Sequence, residues 1–100
     1  MGVTASPWPP QHTAEETAEH LRKEIRYYNE LLEGVQVRRA RSSARFRVQL
    51  DALSPDQDRA PIMAEWSQTN ARHTEEEERI RTRLTVVRSL LQWLTGELWS

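Results

Sequence analysis

The sequence predicts an all-α protein in which two long helices fold back on each other as an antiparallel, coiled-coil-like hairpin. Three observations predict this fold. Apolar residues recur at alternating spacings of three and four along two long segments. No proline interrupts either segment, because the prolines lie before residue 11 or within 55–61. Glycine is rare, with three in 100 residues, and this favours helix over loop.

Residues 1–12 form a segment of their own, in which three prolines surround Trp8. Prolines at this density disfavour a helix and favour an extended, polyproline-like arm. The arm either frays or docks Trp8 in a groove of the same or of a neighbouring subunit. It has neither a basic start nor an apolar stretch, so we expect no secretory signal in it.

Helix one is predicted over residues 13–53. Thr13 and Glu16 have the spacing of a capping box, in which each side chain accepts a hydrogen bond from the backbone N–H of the other residue. Gly34 interrupts the helix at a cost of about 1 kcal/mol relative to alanine. The apolar seam has a polar middle. It consists of Ala18, Leu21, Ile25, Tyr28, Leu32, Val35, Arg39, Ser42, Phe46, Leu50 and Leu53.

A turn is predicted over residues 54–61 and a second helix over 61–98. Ser54, Pro55 and Gln57 have the pattern of a helix start, but Pro61 leaves two possibilities. Either residues 55–60 form one helical turn, or they form a loop and Pro61 is the first helical residue. Gly96 either caps or frays the end of the helix. The second seam consists of Met63, Trp66, Asn70, His73, Glu77, Ile80, Leu84, Val87, Leu91, Leu94 and Leu98.

A short connection between two such helices makes them antiparallel neighbours within a single domain, residues 13–100. If Leu53 lies opposite Ile62, the numbers of facing residues add up to about 115. The apolar ends of the two helices then coincide, and so do their polar middles. We expect a buried polar layer that fixes the register, either within one chain or between two chains. Its predicted members are Arg39, Ser42, Asn70, His73 and Glu77.

The last third of helix two is apolar on more than one side, whereas one hairpin partner covers only one stripe. Exposed apolar patches mark interfaces, and Trp and Tyr are common anchors of them. We therefore expect a homo-oligomer, with a dimer that completes a four-helix bundle favoured, or a helical protein partner. The alternative is that the N-terminal arm covers this surface within one chain. The predicted interface residues are Trp8, Tyr27, Leu31, Val86, Leu90, Trp93 and Trp99.

Composition restricts the function classes. The chain has no cysteine, which excludes disulfides, zinc-finger spacings and thiol nucleophiles. A formal net charge of −1 gives no general positive excess for binding nucleic acids or membranes, and no apolar run approaches the roughly 18 residues of a membrane span. We predict a soluble, cytoplasmic, non-enzymatic oligomerisation module without a cofactor, which serves as an adaptor, an assembly factor or a structural part of an intracellularly assembled particle.

A nucleic-acid-binding accessory protein is the main alternative. Arg38, Arg41 and Arg45 share an outward-facing stripe of helix one and are suited to phosphates. The run of glutamates at 75–78 faces these arginines across the hairpin and weakens their positive electrostatic potential.

A metal-binding, ferritin-like bundle is a further alternative, built on His73, Glu76 and Glu77. The ferritin-like pattern has a Glu-x-x-His pair, whereas the order here is reversed and Arg39 lies opposite. Ser42 beside His73 lacks an oxyanion donor and a third orienting group. We therefore predict no catalytic and no metal-binding residues.

Overall fold

A computed structural model of the chain describes residues 13–96. They form two α-helices, α1 at Ala14–Asp51 and α2 at Ala60–Thr95, which pack against each other along their length. The predicted all-α hairpin of two long helices is confirmed. The predicted arm at residues 1–12 with Trp8, and the two C-terminal seam and interface positions Leu98 and Trp99, lie outside the described residues.

Neither α1 nor α2 contains a stretch that is long and apolar enough to cross a membrane.

The start of α1 is the predicted capping box. The backbone N–H of Glu16 donates to Thr13 Oγ1 over 3.1 Å, and the backbone N–H of Thr13 donates to Glu16 Oε1 over 3.0 Å. Two of the backbone donors that a helix leaves free at its N-terminus are thus satisfied. Glu15 and Glu16 also place negative charge at the positive end of the helix dipole.

Ser54 and Gln57, predicted to start a helix, instead form a turn between the two helices. The Ser54 backbone N–H donates to Gln57 Oε1 over 2.7 Å, and the Gln57 backbone N–H donates to the Ser54 carbonyl over 3.0 Å. These bonds close a tight turn, and α2 begins only at Ala60. Pro61, which has no N–H, occupies the first turn of α2, where that donor is not needed. Of the two possibilities for 55–60, the loop is the one observed.

The other end of α2 is set by Gly96, which has φ 78° and donates its backbone N–H to the Gln92 carbonyl over 2.7 Å. Glycine adopts this left-handed conformation without a Cβ clash. Gly96 therefore caps the helix at Thr95, short of the predicted end at residue 98.

The apolar core lies at the end of the hairpin away from the turn, which we call the open end. Three buried side chains of α1 meet three of α2 there, and four half-buried ones pack around them. The six buried residues are Ala18, Leu21, Ile25, Leu84, Val87 and Leu91; the four around them are Tyr28, Leu32, Ile80 and Leu94. Each fully buried leucine of this kind contributes about 1.5–3 kcal/mol. The open end is thus where the helices are held most strongly by apolar contact.

Near the turn, the seam of α2 departs from the strict heptad. Met63 and Asn70 are exposed, whereas Ile62 and Thr69, one residue earlier in each case, are half-buried. Phe46 stacks on Trp66, with ring centroids 6.0 Å apart, instead of facing Asn70. A straight helix drifts by about 20° per heptad relative to an exact seven-residue repeat. Over three heptads from the open end the drift adds up to about 60°, more than half of the 100° between successive residues, so Ile62 and Thr69 lie closer to α1 than Met63 and Asn70 do.

The interior glycine of α1 provides a test of helix continuity. A Cβ added to Gly34 meets its nearest neighbour, Arg38 Nη1, at 3.6 Å, an ordinary van der Waals contact. We expect Gly34→Ala to raise the free energy of unfolding by about 0.5–1 kcal/mol in urea titrations. Gly96→Ala is the matched control and should lower it, because φ at Gly96 is positive. A destabilised Gly34→Ala variant would contradict a continuous helix with free space at this position.

Candidate functional site on one flank of the hairpin

A polar layer joins the two helices at mid-length, centred on Glu77. Arg39 Nη1 donates to Glu77 Oε1 over 2.9 Å, and Arg39 Nη2 donates to Thr74 Oγ1 over 2.7 Å. The second carboxylate oxygen, Glu77 Oε2, accepts from Arg81 Nη2 over 3.0 Å. Both oxygens of Glu77 are therefore engaged by arginines, one from each helix.

The pKa of Glu77 is lowered from its ordinary value by this environment. Partial burial disfavours the charged carboxylate and acts to raise the pKa. The side-chain hydrogen bond from Gln36 and the positive charges of Arg39 and Arg81 together outweigh that effect. The layer thus holds Glu77 in its ionised form.

The other predicted members of the layer are placed unevenly. Ser42 is buried and His73 is half-buried, at levels that face each other in the predicted register. Asn70 is exposed and lies outside the layer, because of the drift of the α2 seam described above. Arg39 Nε and His73 Nδ1 are buried without a hydrogen-bond partner among residues 13–96.

The two glutamates that face α1 in this region, Glu76 and Glu77, are bound to arginines. Glu76 Oε2 accepts from Arg38 Nη2 over 3.1 Å, and Glu77 is held by Arg39 and Arg81. In the described part of the chain, no group of three or more His, Asp or Glu side chains is arranged to hold a metal ion. The chemistry of the layer is that of a structural ion-pair and hydrogen-bond network.

Two ion pairs that cross between the helices define one flank of the hairpin. Arg38 pairs with Glu76 at 3.1 Å, and Glu24 pairs with Arg83 at 3.8 Å. Leu31 lies seven residues after Glu24 and seven before Arg38, so it occupies the same flank of α1. By the same spacing, Leu90, seven residues after Arg83, lies on this flank of α2.

Tyr27 and Val86 each precede one of these leucines by four residues, and Trp93 follows Leu90 by three. Residues three or four apart are neighbours on a helix surface. All five side chains therefore lie together on one flank near the open end. We call them the open-end patch: Tyr27, Leu31, Val86, Leu90 and Trp93.

The open-end patch is exposed to an unusual degree. Trp93 is 84% exposed and Tyr27 57%, although tryptophan is highly buried on average in folded proteins. The other large apolar side chains that are exposed among residues 13–96, Val37, Val48 and Met63, lie nearer the turn. Five of the seven predicted interface residues are thus exposed on one flank. The other two, Trp8 and Trp99, lie outside the described residues.

Nearer the turn, the same flank carries several arginines together with Glu65, which lies seven residues before Arg72. Arg41 and Arg45 follow Arg38 by three and seven residues on α1, and Arg72 precedes Glu76 by four on α2. The pairs Arg38–Glu76 and Arg39–Glu77 show that facing residues have numbers adding up to 114 and 116, so Arg41 and Arg72 lie at nearly the same level. We call Arg41, Arg45 and Arg72 the basic patch; none of the three has an ion pair within residues 13–96. Sequence reasoning identified the first two and missed Arg72, because Arg72 joins them only across the hairpin.

Comparisons of the chain with protein-family models, with curated proteins and with solved structures give no match.

The Arg39–Glu77 pair is expected to matter more for stability than its neighbour Arg38–Glu76. The side chains of the first pair are 31% and 14% exposed, and those of the second 54% and 46%. We expect Arg38→Leu to change the free energy of unfolding by no more than about 0.5 kcal/mol. Arg39→Leu should cost distinctly more, because it leaves the shielded Glu77 carboxylate with one partner fewer. Urea titrations of both variants that give equal losses would contradict this ranking.

Because the pKa of Glu77 is lowered in the folded protein, we expect the fold to lose stability as the pH falls. A carboxyl group with a lower pKa in the folded than in the unfolded state stabilises the fold above its unfolded pKa. That contribution disappears as the pH falls through the lower, folded-state pKa. We expect the parent to lose more stability between pH 7 and pH 3 than Glu77→Gln, measured by urea titration. Glu78→Gln, the neighbouring exposed glutamate, serves as the control and should follow the parent.

Proposed function

We propose that this protein is a non-enzymatic interaction and oligomerisation module, whose binding surface is the open-end patch. The observation that supports this most strongly is the position of five exposed apolar side chains on one flank of the hairpin. Two of them are aromatic, and Tyr and Trp dominate the energetic centres of protein interfaces. Such a module acts as an adaptor, an assembly factor or a structural component.

The size of the fold supports the same proposal. In a hairpin, each helix contacts the other along one stripe only. The outer faces of both helices are therefore left without a partner. A chain of this length buries a modest fraction of its unfolded surface. A second pair of helices packed on the open-end patch completes a four-helix bundle and covers aromatic side chains, each of which buries about 150–250 Å² when fully covered.

Charge placed in the open-end patch should abolish association. We expect Leu90→Glu combined with Trp93→Glu to weaken self-association at least about 30-fold, the effect of losing one interface residue worth ~2 kcal/mol. Solution mass measured by light scattering over a range of concentrations provides the test.

Val37→Glu is the matched control, because Val37 is 47% exposed, similar to Leu90 at 49%, but lies about 100° around α1 from the flank. Its mass should equal that of the parent. A parent that stays monomeric at every concentration, or a double variant that associates as the parent does, would refute self-association through this patch.

The basic patch supports a second candidate function, nucleic-acid binding. Three arginines from two helices lie on one flank without acidic partners in the described chain, and arginine is the residue most suited to phosphate contacts. Against this candidate stands the formal net charge of −1.

Binding of labelled duplex or single-stranded DNA at low salt is the measurement that tests it. If the patch binds phosphates, Arg41→Ala and Arg72→Ala should each reduce the slope of log affinity against log salt by about 1. No retention of either probe by the parent at low salt would exclude this function.

A further inference from the structure

We propose that the N-terminal arm, residues 1–12 of the same chain, covers the open-end patch in the isolated molecule, with Trp8 as its anchor. A binding partner must then displace the arm. The inference rests on the proposed function, because it takes the patch as the binding surface. It adds how that surface is regulated, by an intramolecular competitor.

The arm joins α1 on the flank that carries the open-end patch. Thr13, the cap residue of α1, lies 14 residues before Tyr27, and two heptads place both residues on the same row of the helix to within about 40°. The ion pair between Glu24 and Arg83 sets the level of α2 at this end. Leu90, seven residues after Arg83, therefore lies near the level of residue 17. The patch thus extends almost to the point where the arm begins.

The length of the arm matches the distance it must cover. Tyr27 lies about 21 Å from Thr13 along the helix axis, at 1.5 Å per residue. Trp8 precedes Thr13 by five residues, which span about 16 Å in a polyproline conformation at 3.1 Å per residue. An arm that turns back along the flank therefore brings Trp8 to about the level of residue 23. This level lies between Leu90 and Tyr27, within the patch.

The composition of the arm suits an aromatic surface. Residues 1–12 contain three prolines around Trp8 and no Asp, Glu, Lys or Arg. Pro7 and Pro10 have the spacing of the Pro-x-x-Pro segments that dock in aromatic-lined grooves. A polyproline segment is already extended when free, so it loses little conformational entropy on docking.

The open-end patch offers the aromatic surface that such a segment needs. Trp93 and Tyr27 are its most exposed members. The Tyr27 ring contacts the Tyr28 ring edge to face, with centroids 5.2 Å apart, and Tyr28 packs on the apolar core. Tyr27 is therefore supported from below, and its outer face is available to proline and tryptophan rings.

No unpaired charge of α1 lies on the path of the arm. The two rows that lead from Thr13 towards the patch carry Thr17 and His20 before they reach Glu24, and Glu24 is paired with Arg83. Covering an unpaired charge with an apolar segment would cost desolvation energy. An arm without charged side chains avoids this cost along the whole path.

Covalent connection favours the arm of the same chain over any separate molecule. Trp8 is tethered to α1 through residues 9–12 only, and a binding element on a short tether acts at an effective concentration of roughly millimolar. A second copy at lower concentration therefore meets a patch that is mostly covered. Its apparent affinity falls with the fraction of patches that are open. The arm thus weakens association through the patch, and loss of its anchor should strengthen it.

The distance between two spin labels in one chain tests the position of the arm, because the chain has no native cysteine. Suitable sites are Ser6→Cys, two residues before Trp8, and Glu30→Cys, which is exposed and outside the patch. With the arm on the patch, Ser6 lies near the level of residue 27 and the labels are within about 20 Å of each other. With the arm directed away from the hairpin, they are about 45 Å apart.

The expected result, measured by pulsed dipolar spectroscopy in a large excess of unlabelled parent, is a narrow distribution below about 20 Å. Trp8→Ala in the labelled chain should give longer and broader distances, whereas the control Thr4→Ala, which keeps the anchor, should not. A broad or long distribution before any further substitution overturns the proposal. So does a short distance that the unlabelled parent abolishes, since it places the arm on a neighbouring copy. A short distance that Trp8→Ala leaves unchanged overturns the role of Trp8.

Solution mass distinguishes failure of this inference from failure of the proposed function. Trp8→Ala in the unlabelled chain should lower the Kd of self-association at least about tenfold, because both copies must expose their patches before they associate. Unchanged or weaker association of Trp8→Ala overturns the competition and leaves the proposed function intact. A monomeric mass at every concentration, for the parent and for Trp8→Ala alike, overturns self-association through the patch instead.

Discussion

The constraint on which this structure depends is that two helices can bury only one seam. α1 and α2 place their best apolar side chains in that seam at the open end, where Leu84, Val87 and Leu91 are almost completely buried. Every further apolar residue must lie on an outer face. Tyr27, Leu90 and Trp93 do so on the same flank, and this common placement converts a small helical hairpin into a candidate interaction module.

The polar layer has a different role from the apolar core. An ion pair that is partly shielded from water adds little net stability, because desolvation of the charges offsets their attraction. Arg39 and Glu77 instead make misaligned pairings unfavourable, since a shift of either helix leaves a shielded charge without its partner. The layer lies between the open-end patch and the basic patch, so the register it sets also fixes which outer residues share a flank.

Much of the fold could be predicted from the sequence, because caps and heptads are local patterns. The Thr13–Glu16 box follows from local spacing alone, and the Arg39–Glu77 contact follows once the two seams are paired in the register that the short turn imposes. The prediction that Asn70 and Met63 belong to the seam was wrong, because a strict heptad ignores the drift of a straight helix over several turns. The Ser54–Gln57 pattern describes a tight turn as well as a helix start, and only Pro61 decides between them. That Arg72 belongs with Arg41 depends on the pairing of the helices, which no local pattern contains.

If a second copy covers the open-end patch, the thermal midpoint of unfolding must depend on protein concentration, and this dependence is the most direct test. Anything that binds the folded state and not the unfolded state raises the midpoint by mass action. We expect the midpoint, monitored by helical circular dichroism, to rise steadily over a roughly 100-fold increase in protein concentration. A midpoint that stays constant over that range would contradict it.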